Sequence, residues 1–137
     1  MIKRHWIASF GLLPAEIDAD RYPCVNGLLD DAMRRLSGKP AFHAAGEMLT
    51  YGDVDRLASA LAAWLQQVAG VRKGDRVAVM LPNVLAFPIV FVAVSRIGAI
   101  LVNVNPLYTA RELEHQLNDA GPGRSWSAMV RRQRSRT

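Results

Sequence analysis

Gly74-Asp75-Arg76-Val77-Ala78-Val79-Met80-Leu81-Pro82-Asn83, followed by Gly98-Ala99-Ile100-Leu101-Val102-Asn103-Val104-Asn105-Pro106-Leu107-Tyr108, decides the fold of this 137-residue chain. Val77 to Leu81 is apolar without interruption, the pattern of a strand covered on both faces in a parallel sheet. Asn83 to about Ile97 is apolar nearly all round, as in a buried helix, and Pro88 in its second turn is expected to bend it. Ala99 to Val104 supplies another buried strand. Thr109-Ala110-Arg111-Glu112 then sets a hydroxyl and an acid at capping spacing and opens a helix through Leu113, Leu117 and Ala120, stopped by Gly121. Strand, helix, strand, helix is the order of a parallel crossover, so the class is α/β, a partial parallel βαβα unit. A third parallel strand is due after Gly121. Pro122-Gly123-Arg124-Ser125-Trp126-Ser127 offers neither strand formers nor a buried run, and the third strand is expected to be missing.

Upstream, residues 1–24 hold Gly11, Pro14, Pro23 and scattered acids without periodicity, which suggests an extended arm lying across a larger body. Leu28, Leu29, Ala32, Met33 and Leu36 recur at threes and fours, predicting an amphipathic helix from Val25 to Leu36 that Ser37-Gly38-Lys39-Pro40 ends. Ala41-Phe42-His43 and Met48-Leu49 flank Ala45-Gly46-Glu47 as in a small hairpin. Thr50-Tyr51-Gly52-Asp53 repeats the capping pattern, and Val54, Leu57, Ala58, Leu61, Ala62, Leu65 and Val68 form one stripe ending at Gly70.

Charge narrows the function classes. Residues 1–120 carry 12 Lys+Arg against 12 Asp+Glu, so the +5 net charge (17 − 12) belongs to Arg124, Arg131, Arg132, Arg134 and Arg136 alone. The basic character is a property of the tail, and no nucleic-acid partner is expected for the body. Cys24 is the single cysteine, which excludes an internal disulfide and fits a reducing compartment. His5, His43 and His115 stand far apart without ligand spacing, so no metal site is expected. Lys3-Arg4-His5 before Trp6 to Leu13 resembles the start of a signal peptide, but Pro14, Glu16 and Asp18 replace a cleavage site. The Val84–Val94 run closes at Arg96, short of the ~18–20 residues that span a bilayer.

Longer motifs carry a resemblance. Leu49-Thr50-Tyr51-Gly52-Asp53-Val54 resembles the first box of the adenylate-forming (AMP-binding) enzymes, and Arg96 to Pro106 resembles their second. Val102 to Thr109, then Arg111 to Asp119, is similar to bacterial long-chain fatty-acyl-CoA synthetases in particular, as is Ile17-Asp18-Ala19-Asp20-Arg21-Tyr22. The resemblance covers residues 1–121, read as the N-terminal part of an AMP-binding synthetase domain, and leaves 122–137 as a basic, disordered tail. Gly121–Ser127 can be encoded GGN CCN GGN CGN TCN TGG TCN. Read one base earlier, that run permits Ala-Arg-Ala-Ile-Val-Val, a strand-like sequence, so a frameshift near codon 121 is the expected origin of the tail. An authentic Arg-rich appendage touching nucleic acid or an anionic membrane is the alternative; it lacks an aromatic stacking platform.

The resemblance implies a fatty-acid:CoA ligase. A carboxylate attacks the α-phosphate of ATP, giving acyl-adenylate and pyrophosphate, and the CoA thiol then displaces AMP. ATP, Mg²⁺ and CoA are the implied cofactors of the full-length family, fatty acid its substrate, and the cytoplasm, with peripheral contact to the inner membrane, its location. The family's phosphate loop, Thr-Glu motif, ribose-binding Asp and catalytic Lys have no counterpart in residues 1–137. The chain is therefore expected to be a catalytically incompetent piece, binding no cofactor by itself, or else a piece that pairs with a complementary synthetase chain.

No catalytic, cofactor-binding or metal residue is assigned. Gly70-Val71-Arg72-Lys73-Gly74 lacks the spacing of a phosphate-binding loop. Asp53 and Asp55 do not share a helix face, so helix-start electrostatics explain them better than paired acid chemistry. Lys73, Asp75 and Arg76 read as a turn, Asn103 and Asn105 as scaffold at a strand end, and Tyr51 and Trp64 as parts of the apolar stripe rather than a nucleotide stack.

Overall fold

The computed structural model describes Asp18, residues 20–121 and the backbone path of 126–130. Helix α1 (Val25–Arg35) leads into an antiparallel hairpin, β1 (Pro40–Ala44) and β2 (Glu47–Thr50), whose turn passes through Ala45 and Gly46 at φ 51° and 82°. Two left-handed residues in succession give the turn a twist that matches paired strands. Helix α2 (Tyr51–Gln67), strand β3 (Arg76–Met80), helix α3 (Ala86–Arg96), strand β4 (Ile100–Asn103) and helix α4 (Ala110–Asp119) follow.

Strand β3 lies at the centre of a parallel sheet, with β4 on one side and β5 (Trp126–Val130) on the other. The third strand expected to be missing is thus present. Arg76 to Met80 pair in register with Trp126 to Val130. The Gly, Pro and Ser of 121–127 argue against a strand, but Trp126 and Val130 favour one. The unpaired edge of a buried central strand supplies backbone partners that weak local propensity does not. Residues 122–125 and 131–137, where a disordered tail was expected, lie outside the described residues, as does the amino-terminal arm up to Ile17.

The core lies between the helices and β3. Val54, Ala58, Ala62 and Leu65 of α2 are buried against Val90, Val92, Ala93 and Val94 of α3, and Val77, Ala78 and Val79 of β3 are buried on both faces. Helix α3 begins at Ala86 rather than Asn83, which puts Pro88 in its first turn. There the missing N–H costs no hydrogen bond, so the expected bend has no cause. The α2 stripe is also narrower than its spacing suggests: Trp64 and Val68 are 49% and 69% exposed.

Two glycines are required by their surroundings. Gly98 turns α3 into β4 at φ 71°, and a Cβ there would meet Lys73 Cγ at 2.9 Å. Gly52 lies in the first turn of α2, where a Cβ would come within 2.7 Å of Ser37 Oγ and 3.1 Å of its carbonyl oxygen. The Gly52 N–H donates to that carbonyl at 2.8 Å, which fixes the α1 exit against the α2 start.

Candidate functional site

Among the described residues, the two capping motifs singled out in the sequence have a structural use. Thr50 caps α2: its Oγ1 accepts from the Asp53 N–H at 3.1 Å, and the Asp53 carboxylate accepts from the Thr50 N–H at 3.2 Å. The Thr50 hydroxyl also donates to that carboxylate at 2.7 Å, and this bond first, then the one from the Thr50 N–H, with a smaller contribution from Arg56, hold the Asp53 carboxyl below its ordinary range. Thr109 and Glu112 repeat the arrangement at the start of α4, and the Thr109 N–H bond likewise lowers Glu112.

Asp55 has a different role. At the C-terminal end of α3, Arg96 reaches the Asp55 carboxylate, Ser59 Oγ at 2.8 Å and Asp30 Oδ1 at 2.7 Å, so one guanidinium joins α1, α2 and α3. Desolvation works against its charge, but the bonds to Asp30 and Asp55 outweigh it and raise its pKa. Asn26 adds a second tie, donating to the Ser95 carbonyl at 2.8 Å. In the sequence Arg96 closes an apolar run and opens the second family box, and neither reading joins it to Asp30 or Asp55. A lone cation ending an apolar helix, with acids on two neighbouring helices, was the available signal.

The Gly70–Gly74 turn lies at the amino end of β3. The Val71 N–H donates to Leu65 O, the Arg72 N–H to the Asp75 carboxylate and the Gly74 N–H to Gly98 O, at 2.8, 2.8 and 2.9 Å. These amides serve the chain itself, so the turn does not fit a nucleotide phosphate. Among the described residues no group of three His, Cys, Asp or Glu could hold a metal ion. His43 and His115 are exposed and apart; His5 lies outside the described residues. No step of adenylation chemistry is derived from these groups.

The carboxyl ends of β3 and β4 form a pocket of about 570 Å³ lined by Leu81, Pro82, Asn83 and the Asn103–Tyr108 segment. Open α/β sheets place ligands beyond this end of their strands. Here the Asn105 side chain and the Asn103 and Asn105 carbonyls are engaged within the chain. Asn105 Oδ1 accepts from the Leu107 N–H at 3.0 Å, its carbonyl accepts from Tyr108, and the Asn103 carbonyl accepts from Gln116 Nε2 at 2.8 Å. The structure brings Asn103 and Asn105 together at one strand end but leaves Asp53, Asp55 and the 72–76 turn at other places. A second, apolar groove of about 400 Å³ runs between the β1–β2 hairpin and the start of α3, lined among others by Phe42, Phe87 and Phe91.

Among the described residues no helix is long and apolar enough to cross a membrane. Comparison with known proteins agrees with the motifs. The AMP-binding enzyme family matches residues 29–125. A long-chain-fatty-acid–CoA ligase of Salmonella typhimurium is 47% identical over 121 residues, covering 88% of this chain and 22% of the ligase. That of Yersinia pestis is 51% identical over 109 residues, 80% of this chain and 19% of the ligase. Among solved structures, the Klebsiella oxytoca NpsA N-terminal subdomain superposes with a TM-score of 0.70 at 28% identity, covering 77% of this chain and 31% of that one. VinN in complex with L-aspartate gives 0.68 at 32% identity, with 72% and 25% covered. The chain spans about a fifth of the length of the curated relatives it matches, and corresponds to their N-terminal portion. With its capped α2, its Arg96 junction and its Asn103–Tyr108 strand end all inside the matched span, this chain belongs to the AMP-binding enzyme family.

Proposed function

We propose that these residues are the opening scaffold of a long-chain fatty acid:CoA ligase, which forms acyl-adenylate from fatty acid and ATP and then acyl-CoA. The 47% identity over 121 residues to a ligase of that specificity carries the reading. In this reading the segment supplies a sheet end and a helical layer, while the groups that hold ATP, Mg²⁺ and CoA come from the remaining four-fifths of such a ligase. Contact with a membrane surface to collect fatty acid belongs to those parts as well.

Two assays test this together. The 137-residue chain, mixed with ATP, Mg²⁺ and palmitate, is expected to release no pyrophosphate above a purified blank; turnover would show that it carries catalytic groups after all. A chimera in which residues 1–121 replace the matching segment of the Salmonella typhimurium ligase is expected to retain palmitoyl-CoA formation. A chimera that melts cooperatively yet makes no palmitoyl-CoA would sink the assignment to this ligase class.

A second reading, a non-catalytic chain that pairs with a complementary synthetase, is favoured by one feature. Strand β4 lies at an edge of the three-stranded sheet, with Ile100 48% exposed. Such an edge is a template for another strand. Co-purification of the tagged chain with a synthetase missing its own first 121 residues would support pairing, and the same yield with unrelated bait would reject it.

A further inference from the structure

We propose that the outward flank of α2 is the seat of a second copy of this chain, its α2 laid antiparallel across a two-fold axis at the height of Ala62 and Ala63. The flank is the stripe Leu57, Leu61, Trp64 and Val68. The fold covers it only in part: Leu57 and Leu61 are half-buried, and Trp64 and Val68 are 49% and 69% exposed. The opposite flank of α2 is taken, because Arg96 holds Asp55 and Ser59 there. Spacing and charge select a second copy as the occupant, and size sets how tightly it is held.

The four residues fall at intervals of four, three and four. That is the narrow seam by which one helix meets another, rather than the broader face that packs on a globular core. The face of the second kind lies beside it, as Val54, Ala58, Ala62 and Leu65, and is already buried. An antiparallel copy sets Leu57 against Val68 and Leu61 against Trp64, so each member of the seam meets an apolar side chain.

No Lys, Arg, Asp or Glu occurs from Leu57 to Val71, so two copies of the seam meet without like charges facing each other. At its amino end stand Asp53 and Arg56, paired at 3.3 Å, while the last turn of α2 holds no basic residue. The antiparallel arrangement brings each Arg56 to the carboxyl end of the other helix, where the helix dipole is negative and the last turn supplies no cation. An anionic lipid surface would instead call for Lys or Arg along the flank.

From Leu57 to Val68 the seam runs about 17 Å on a helix about 10 Å wide. Such a strip is smaller than the roughly 800 Å² per partner of a standard interface, which places the dimer in the weak, transient class.

Sedimentation equilibrium of the full chain from about 10 μM to about 1 mM tests the proposal, with the dimer expected to be half-formed on the order of 0.1 mM. Val68→Asp, at a position exposed in the monomer, should raise that midpoint at least roughly tenfold by burying an unpaired charge. Arg56→Glu should raise it about threefold, since it sets an acid against the negative helix end. Ile100→Lys at the β4 edge and Phe42→Lys in the aromatic groove should leave it unchanged. A chain that stays monomeric throughout would overturn the proposal. So would a dimer that Val68→Asp leaves intact, or one that Ile100→Lys or Phe42→Lys dissolves. Disulfide trapping gives an independent reading should Val68→Asp unfold the chain. With Cys24→Ser as background, mild oxidation should cross-link Trp64→Cys at least roughly fivefold faster than Ala63→Cys, which stands about 100° away around the same helix. Equal rates would reject the seam.

Discussion

Helices α2 and α4 begin with the same device and end in different circumstances. Both open on a threonine whose hydroxyl takes the N–H three residues on, answered by an acid at that position. Both carry an apolar stripe. Yet α2 buries Val54, Ala58, Ala62 and Leu65, whereas no residue of α4 is buried. Capping and periodicity thus specify that a helix forms and which face is apolar, while burial depends on what the rest of the chain places against that face. Helix α2 meets α3 and, through Arg96, α1; α4 is tied to β4 by the Gln116–Asn103 bond and leaves Leu113 and Leu117 half-buried.

The largest expected effect follows directly. Leu65, 1% exposed, lies in the α2 core, and Leu65→Ala should destabilise the fold by about 2–5 kcal/mol through lost burial and the cavity left behind. Leu117→Ala on α4 should cost under about 1 kcal/mol. Urea unfolding followed by circular dichroism measures both. Equal costs would mean that α4 has a buried partner comparable to α3, and the contrast between the two helices would fail.

This contrast also separates what was legible in the sequence from what was not. Caps are local: Thr50 with Asp53 and Thr109 with Glu112 could be read from spacing alone, and both helices start where spacing put them. The parallel strands were legible because an uninterrupted apolar run such as Val77–Leu81 has few other uses. Long-range partners were not. Nothing in the spacing of Trp64 and Val68 tells that the packing layer stops one face short of them, nor that Trp126–Val130 finds a strand to pair with. Pro88 shows the same limit at a boundary, since moving the helix start by three residues turns a kink into a tolerated first-turn proline. For the site, Asn103, Asn105 and the 72–76 turn could be singled out from the sequence, while the Arg96 junction and the aromatic groove needed three dimensions.

Arg96 sharpens the comparison at the next magnitude. It is the polar link that joins α2 to both other helices of its layer, and α4 has no equivalent among the described residues. Arg96→Ala leaves Asp30 and Asp55 without their shared cation. With both acids half exposed, solvent screening reduces the loss to about 1–3 kcal/mol. Arg96→Lys should recover only part, because one ammonium cannot serve Asp30, Asp55 and Ser59 in three directions. Exchange of the α1 amides should accelerate in step with the lost stability. An unchanged α1 would show that apolar contacts alone hold the layer.

The caps themselves should report the difference in partnership. Thr50→Ala removes the bond to the Asp53 N–H, and should cost about 1 kcal/mol of global stability because α2 cannot fray without opening the core. Thr109→Ala removes the equivalent bond at α4, but its first turn can fray alone, so its effect should fall mainly on α4 amide exchange and little on the urea midpoint. Matching midpoint shifts from the two variants would place α4 in the same cooperative unit as α2.

Acid titration is the smallest of these effects and the most selective. Asp53 and Glu112 both have carboxyls lowered in the folded state by bonds from their capping threonines. A group lowered on folding contributes stability that is full above its unfolded pKa and is lost as pH falls through the folded value. Both contributions are therefore intact at neutral pH and disappear on descent through and below the ordinary carboxylate range. Asp53→Asn should flatten the acid limb of the melting temperature, since its helix melts with the core. Glu112→Gln should leave that limb unchanged and remove only the acid-induced rise in α4 exchange. The same chemical device would then control the whole fold at one helix and a single turn at the other, with tertiary contact as the one variable between them.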